Sequence, residues 1–159
     1  MSPKNKPAKT AANLGRGRGE RQPKADVGKV GPETGEEMPT FSFRYADRAF
    51  DGAWKWATDV EASQILHFIC EMEKLTWFDI KAQMTGSKVR RKRNHYQEVS
   101  TLCSAAQSRI TQLKLDEIFP EQMFRFRLDG PGRLWGFLVA GIFYVLWWDT
   151  DHKVYPLDD

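Results

Sequence analysis

Gln122-Met-Phe-Arg-Phe-Arg-Leu128, Asp129-Gly-Pro-Gly132, Arg133-Leu-Trp-Gly-Phe-Leu-Val139, Ala140-Gly141, Ile142-Phe-Tyr-Val-Leu-Trp-Trp-Asp149: this stretch decides the fold. Three short segments of strand-like alternation are joined by glycine-bearing turns, the pattern of an antiparallel meander. In the first, Phe124, Phe126 and Leu128 share one face, and Met123, Arg125 and Arg127 share the other. In the second, Arg133, Trp135 and Phe137 alternate with Leu134, Gly136 and Leu138. Arg127 and Arg133 flank the turn, so they are expected to meet across it. The third segment is apolar on both faces, which predicts a central, buried strand. Asp149 to His152 marks a turn, and Lys153-Val-Tyr155-Pro156 a short terminal extension.

Upstream, Thr40-Phe-Ser-Phe-Arg-Tyr45 alternates and predicts an edge strand with Phe41, Phe43 and Tyr45 on one face. Thr58-Asp-Val-Glu61 has the spacing of a capping box. It opens a helix with Ile65, Leu66, Phe68, Ile69, Met72 and Leu75 inward. Thr76 starts a shorter helix, with Trp77, Ile80 and Met84 inward, that stops near Gly86. Ser100 caps a third helix running to about Leu115, and Pro120 separates helices from sheet. The fold class is α+β: a strand, three helices covering one sheet face, then a curled antiparallel meander.

Residues 1–38 contain no aromatic side chain and are rich in Lys, Arg, Gly and Pro, so they are expected to form a disordered tail ahead of a single domain, 39–159. An Arg-Gly-rich patch, Leu14 to Arg21, lies within that tail. The tail holds eight Lys/Arg against five Asp/Glu, and the remaining 16 of each cancel. A neutral body excludes a protein that coats nucleic acid by bulk charge, so phosphate affinity must come from local clusters. Cys70 and Cys103 read as buried, unbridged thiols, and no spacing suggests a metal or cofactor site. With no secretory leader and no long apolar stretch, the expectation is a cytoplasmic protein away from membranes.

Two groups of residues carry possible chemistry. Lys88, Arg90, Arg91, Lys92 and Arg93 form the sharpest charge run, followed at once by His95 and Tyr96. A loop of this kind attracts polyanions, and its aromatic neighbours stack on unpaired bases. The second group is Arg125, Arg127 and Arg133 on the meander, close to His152, Lys153 and Tyr155. Neighbouring guanidinium groups repel unless an anion such as phosphate lies between them. His152 titrates near neutral pH, as a general acid or base must. Alternatives stay open: carboxylates such as Asp129 or Asp149 neutralise the arginines, Trp135 packs against their stems, or His152 is a turn residue bound to Asp149. Tyr155 can equally be a packing residue.

The segments Phe126-Arg-Leu128, Arg133-Leu-Trp-Gly136, Phe143 to Asp149 and His152-Lys-Val-Tyr155 are similar to the RelE/ParE toxin superfamily, including its HigB-like members. These are small bacterial proteins with helices packed on a curled antiparallel sheet. The resemblance implies a toxin of a toxin–antitoxin pair that cleaves messenger RNA, some members on the ribosome, without a metal. It implies Arg125, Arg127, Arg133, His152 and Tyr155 as catalytic positions and an antitoxin as partner. The chain is longer than a typical member and carries an extra first strand and a third helix. Two other readings compete: a non-catalytic module binding nucleic acid or protein through loop 88–95, and a scaffold whose arginine and aromatic ladder only stabilises the sheet.

Overall fold

Alternating apolar residues at 122–149 form strands because each can bury both of its faces, and the structure supplies a cover for each. The computed structural model describes residues 35–56 and 59–156. The tail up to residue 34, its Arg-Gly patch and Thr58 lie outside the described residues. In chain order the elements are β1 (Thr40–Ser42), α1 (Asp59–Met72), α2 (Trp77–Ala82), β2 (His95–Glu98), a single 3-10 turn (Val99–Thr101), α3 (Ser104–Gln112), β3 (Gln122–Arg127), β4 (Arg133–Val139) and β5 (Ile142–Asp149). The sheet order is β1-β5-β4-β3-β2. β1 runs parallel to β5, and the other pairs are antiparallel.

Among the described residues the α+β class and three helices agree with the sequence pattern, but the sheet is mixed and five-stranded. β4, not β5, is central. β1 is an edge strand as expected, but it ends at Ser42, so Phe41 and Tyr45 pack into different clusters and Phe43 is exposed. The helices cover both faces rather than one. On one face, Ile65 and Ile69 of α1 and Trp77 and Ile80 of α2 meet Phe124, Phe126, Leu134, Leu138, Phe143, Val145 and Trp148. On the other, Leu102, with Ala106 and Ile110 of α3, meets Met123, Trp135, Phe137, Leu146 and Trp147. A sheet that is apolar on alternate positions in both phases needs two covers.

A β-bulge reconciles the apolar run in β5 with this arrangement. Trp135 pairs with Trp147, but Gly136 pairs with Val145, which leaves Leu146 as an extra residue. Leu146 and the adjacent Trp147 therefore both join the α3-side cluster. The same shift turns Asp149 onto the face of Arg133, its partner in the ladder. Gly136 is required here, because a Cβ would lie 2.2 Å from the Tyr144 carbonyl oxygen and 2.7 Å from the Phe143 ring.

Capping fixes α2. The Thr76 hydroxyl accepts from the Asp79 amide at 3.2 Å, and the Asp79 carboxylate accepts from the Thr76 amide at 3.1 Å. Before β1, the Glu37 and Gly35 carbonyls accept from the Trp77 and Phe78 amides. The Trp77 indole N–H donates to the Gly141 carbonyl at 2.9 Å, tying α2 to the β4–β5 turn. Leu66, expected inward, is 63% exposed, and Met84 and Cys70 are also exposed. The third helix starts later than Ser100 because the chain first makes the 3-10 turn. Among the described residues no helix is long and apolar enough to cross a membrane.

Candidate anion-binding site

The α3-side cover stops short of the β2 end of the sheet, and the positions left open there are polar. Strand parity puts Arg125 and Arg127 on this face. The β3–β4 ladder sets Arg127 opposite Arg133, and the β2–β3 ladder sets His95 opposite Arg125. His152 arrives from the turn after β5, where it holds a left-handed backbone with φ of 59°. Asp149 builds that turn: its two carboxylate oxygens accept from the Lys153 and Val154 amides at 2.8 and 2.9 Å. Asp149 thus binds the backbone of the turn and not the His152 ring.

The basic run, Lys88 to Arg93, lies within the excursion 84–94, and a strand follows it. His95, expected in a loop, opens β2. The base of the excursion is pinned by the Met84–Lys92 bridge and by hydrogen bonds between Thr85 and Arg91 and from the Arg93 amide to the Gln83 carbonyl. Asn94, buried, completes the anchor. Its amide donates to the Ile80 carbonyl at 3.2 Å and to Gln83 at 2.9 Å, and its oxygen accepts from the Arg127 amide at 3.0 Å. Nothing in the sequence run marked Asn94 as the residue that positions its charged neighbours.

These elements enclose a cleft of about 520 Å³ lined by Arg91, Lys92, Arg93, Arg125, Arg127, Arg133, His95, His152 and Tyr155, together with Thr85, Ser87, Val89 and Gln97. Among the described residues the lining holds six cationic side chains and no carboxylate. Lys88 and Arg90 are exposed on the excursion but do not line it. A larger cleft, about 630 Å³, opens between α1 and the β3–β4 hairpin. It holds His67 but sets Glu61, Glu71 and Asp129 against Arg93 alone, which is the wrong charge balance for a phosphate.

The cationic groups differ in what they can offer. Arg133 is only 7% exposed, and one guanidinium nitrogen donates to the Gly130 and Gly132 carbonyls at 3.0 and 2.8 Å, closing the hairpin loop. Burial, followed by repulsion from Arg127 and Arg125, pushes its pKa down to about 10, with Asp149 opposing. It remains charged at neutral pH and contributes field more than free donors. Arg93 donates to the Arg127 carbonyl at 3.1 Å and lies 3.5 Å from the exposed Asp129, a weak solvent-screened pair. No hydrogen bond or ion pair engages the Arg127 side chain among the described residues.

Arg125 sits at the centre. Its guanidinium lies 5.6 Å from the ring centroids of both Trp135 and Tyr155. Its Nε and Nη2 donate to His95 Nε2 at 3.1 and 2.7 Å, and Nη1 lies 3.2 Å from His152 Nε2. A guanidinium has only donors, so these contacts are hydrogen bonds when Nε2 accepts, which requires neutral imidazoles with the proton on Nδ1; in His152 that Nδ1 is buried without a hydrogen-bond partner among the described residues. His95 Nδ1 meets the Tyr96 carbonyl at 2.9 Å, which fits that tautomer. Burial depresses both imidazoles below the ordinary histidine pKa. Arg125 and Arg133 add to this for His95, as do Arg133 and Arg125 for His152, and carbonyl contacts partly oppose it.

Arg125, Arg127, Arg133, His152 and Tyr155 therefore share one surface with Arg91, Lys92, Arg93 and His95. What the sequence reading missed is the place of His95 inside the constellation. Among the described residues no group of three or more His, Cys, Asp or Glu is placed to hold a metal ion. No protein-family model matches this chain, and no curated protein or solved structure matches it either.

Proposed function

We propose that this protein is an RNA-directed, toxin-like endoribonuclease of RelE/ParE-like type that works without a metal and is held in check by an antitoxin partner. The observation that supports the reading is the cleft of six Lys/Arg side chains without a carboxylate, with two imidazoles and a tyrosine on its floor and rim. Such a lining suits a phosphodiester, because guanidinium forks match phosphate oxygens and stabilise the charge that builds up as the phosphorus is attacked. In this reading charge stabilisation falls to the cationic side chains of the cleft.

In this mechanism Arg125 and Arg127 grip the scissile phosphate and Arg133 adds its field from below. His152 exchanges the proton, and Tyr155 stacks on a base or donates. Arg91 and Lys92, at the mouth, steer the polyanion, an effect that weakens with salt. The experiment is cleavage of messenger RNA by the purified protein, with and without ribosomes. Wild type is expected to cut, and Arg127→Ala and His152→Ala to cut at least about 100-fold more slowly. Undiminished cleavage by either variant would remove that residue from the mechanism.

A binding module without turnover is the second reading, favoured by the exposed Lys88 and Arg90 outside the cleft. It predicts salt-sensitive RNA binding that drops when 88–93 is neutralised, with no cleavage under any condition.

A further inference from the structure

Two histidines on one guanidinium are unusual, because each Nε2 that accepts from Arg125 is also the atom a proton-transfer group would use. His95 and His152 come from opposite edges of the cleft, one from β2 and one from the turn after β5. Arg125 bridges them with contacts of 2.7 to 3.2 Å. We infer that His95 is a second proton-transfer residue, and that His95 and His152 act as a pair which Arg125 clamps as neutral imidazoles until an oxyanion in the cleft draws the guanidinium away.

If either imidazole took a second proton, an N–H would point at an Arg125 N–H, so protonation requires Arg125 to move. The groups facing the pair are Arg125 and Arg127 from β3, Arg133 from β4, Arg91, Lys92 and Arg93 from the excursion, and Tyr155 from the terminal segment. The one buried carboxylate nearby, Asp149, is engaged with two amides. Among the described residues no carboxylate hydrogen-bonds Arg125, and Asp149 acts on it only through its charge, which leaves the guanidinium open to an anionic ligand. An oxyanion seated among the arginines offers Arg125 a better acceptor and favours protonated imidazoles beside it.

This inference rests on the ribonuclease reading for its chemistry, and it specifies the substrate as a phosphodiester with a free 2′-hydroxyl. One imidazole, neutral, removes the 2′-hydroxyl proton as the 2′-oxygen bonds to phosphorus. The other, protonated, delivers its proton to the 5′-oxygen as the phosphorus–O5′ bond breaks. The products are a 2′,3′-cyclic phosphate and a 5′-hydroxyl, and the two imidazoles finish with exchanged protonation states. No oxidant, reductant or further reactant is needed, and DNA, lacking the nucleophile, is not cut.

The test uses sulfate, whose charge is constant across the range, and follows the histidine ring protons of the whole protein by NMR from pH 5 to 8. The chain has three histidines, and exposed His67 serves as the internal reference. Sulfate is expected to raise the midpoints of both His95 and His152 by about one pH unit or more, which by linkage is about a tenfold gain in sulfate affinity per proton taken up, and to leave His67 in place. A response of neither ring, or of His152 alone, overturns the pair. In parallel, His95→Gln keeps an acceptor for Arg125 but should slow RNA cleavage roughly 100- to 10,000-fold and remove one limb of a bell-shaped pH profile. Full-rate cleavage by His95→Gln with an unchanged profile sinks this inference and leaves the nuclease reading standing. Absence of cleavage by wild type sinks the nuclease reading, while the sulfate titration still decides the pair.

Discussion

Asn94 shows how a single uncharged side chain sets up a charged site. It occupies the position where β2 has not yet begun and the β3 edge amide of Arg127 would otherwise lack a partner. By accepting from that amide while donating to Ile80 and Gln83, it fixes the interval between α2 and the sheet. Arg93 and His95 flank it and inherit their placement. Asn94→Ala should destabilise the fold by about 1–3 kcal/mol, because a buried amide and a buried carbonyl lose their partners. Denaturant melts would measure this. Unchanged stability would mean that water replaces the side chain and that the excursion holds its place by other contacts. Asn94→Asp is the complementary variant: it keeps the acceptor for Arg127 but turns the donor toward the Ile80 carbonyl into a charge, so it should cost at least as much.

At the scale of elements, the β4–β5 hairpin carries an avoidable strain. Its two turn residues, Ala140 and Gly141, both hold positive φ, 51° and 78°. Two such residues between antiparallel strands are the signature of a type I′ turn, which favours Asn-Gly. Alanine in the left-handed region costs about 1–2 kcal/mol. Ala140→Asn should therefore raise stability by roughly 0.5–1 kcal/mol, read as a higher unfolding midpoint with no change in RNA binding. A lower midpoint would show that the Ala140 methyl has a packing role that outweighs its backbone strain. The Ala-Gly turn itself was legible in the sequence, as were the faces of β3 and β4, because successive side chains on a strand point to opposite faces and Arg125, Arg127 and Arg133 mark which face is which. Two features escaped for physical reasons. β2 is four residues long, too short to show a period beside a charge run, so His95 read as loop. The bulge at Leu146 lies within Val145-Leu-Trp-Trp148, where every residue is apolar and no alternation marks the slip. The approach of the basic excursion to the arginine face was equally hidden, since it depends on Asn94 and the Met84–Lys92 bridge, contacts with no local sequence signal.

For the molecule as a whole, ionisation divides stability into two separate pH windows. The histidine pair governs the upper one. Both folded pKa values lie below the ordinary 6.5, so below that value the unfolded chain binds protons that the folded chain refuses. Stability should be flat above about pH 7 and decline as pH falls from about 6.5 toward the folded values. The lower window belongs to Asp47, which joins the 41–56 segment to α3 and β5. Its carboxylate accepts from Arg109 at 2.8 and 2.7 Å and from the Trp147 indole at 3.1 Å. Burial alone would raise its pKa, but these hydrogen bonds and the Arg109 charge outweigh it, and the net shift is downward from 3.8. Its contribution is complete above 3.8 and is lost only as pH falls through the lower folded value. Denaturant melts at half-unit pH steps should resolve both. In a His95→Gln, His152→Gln double variant the decline beginning near 6.5 should vanish while the loss below 3.8 remains. Sulfate should flatten the upper decline in wild type, because an anion that admits protons to the folded imidazoles removes the difference in proton uptake that drives it. If the double variant keeps the full upper decline, other groups produce it, and the cleft is not the pH-sensitive part of this fold.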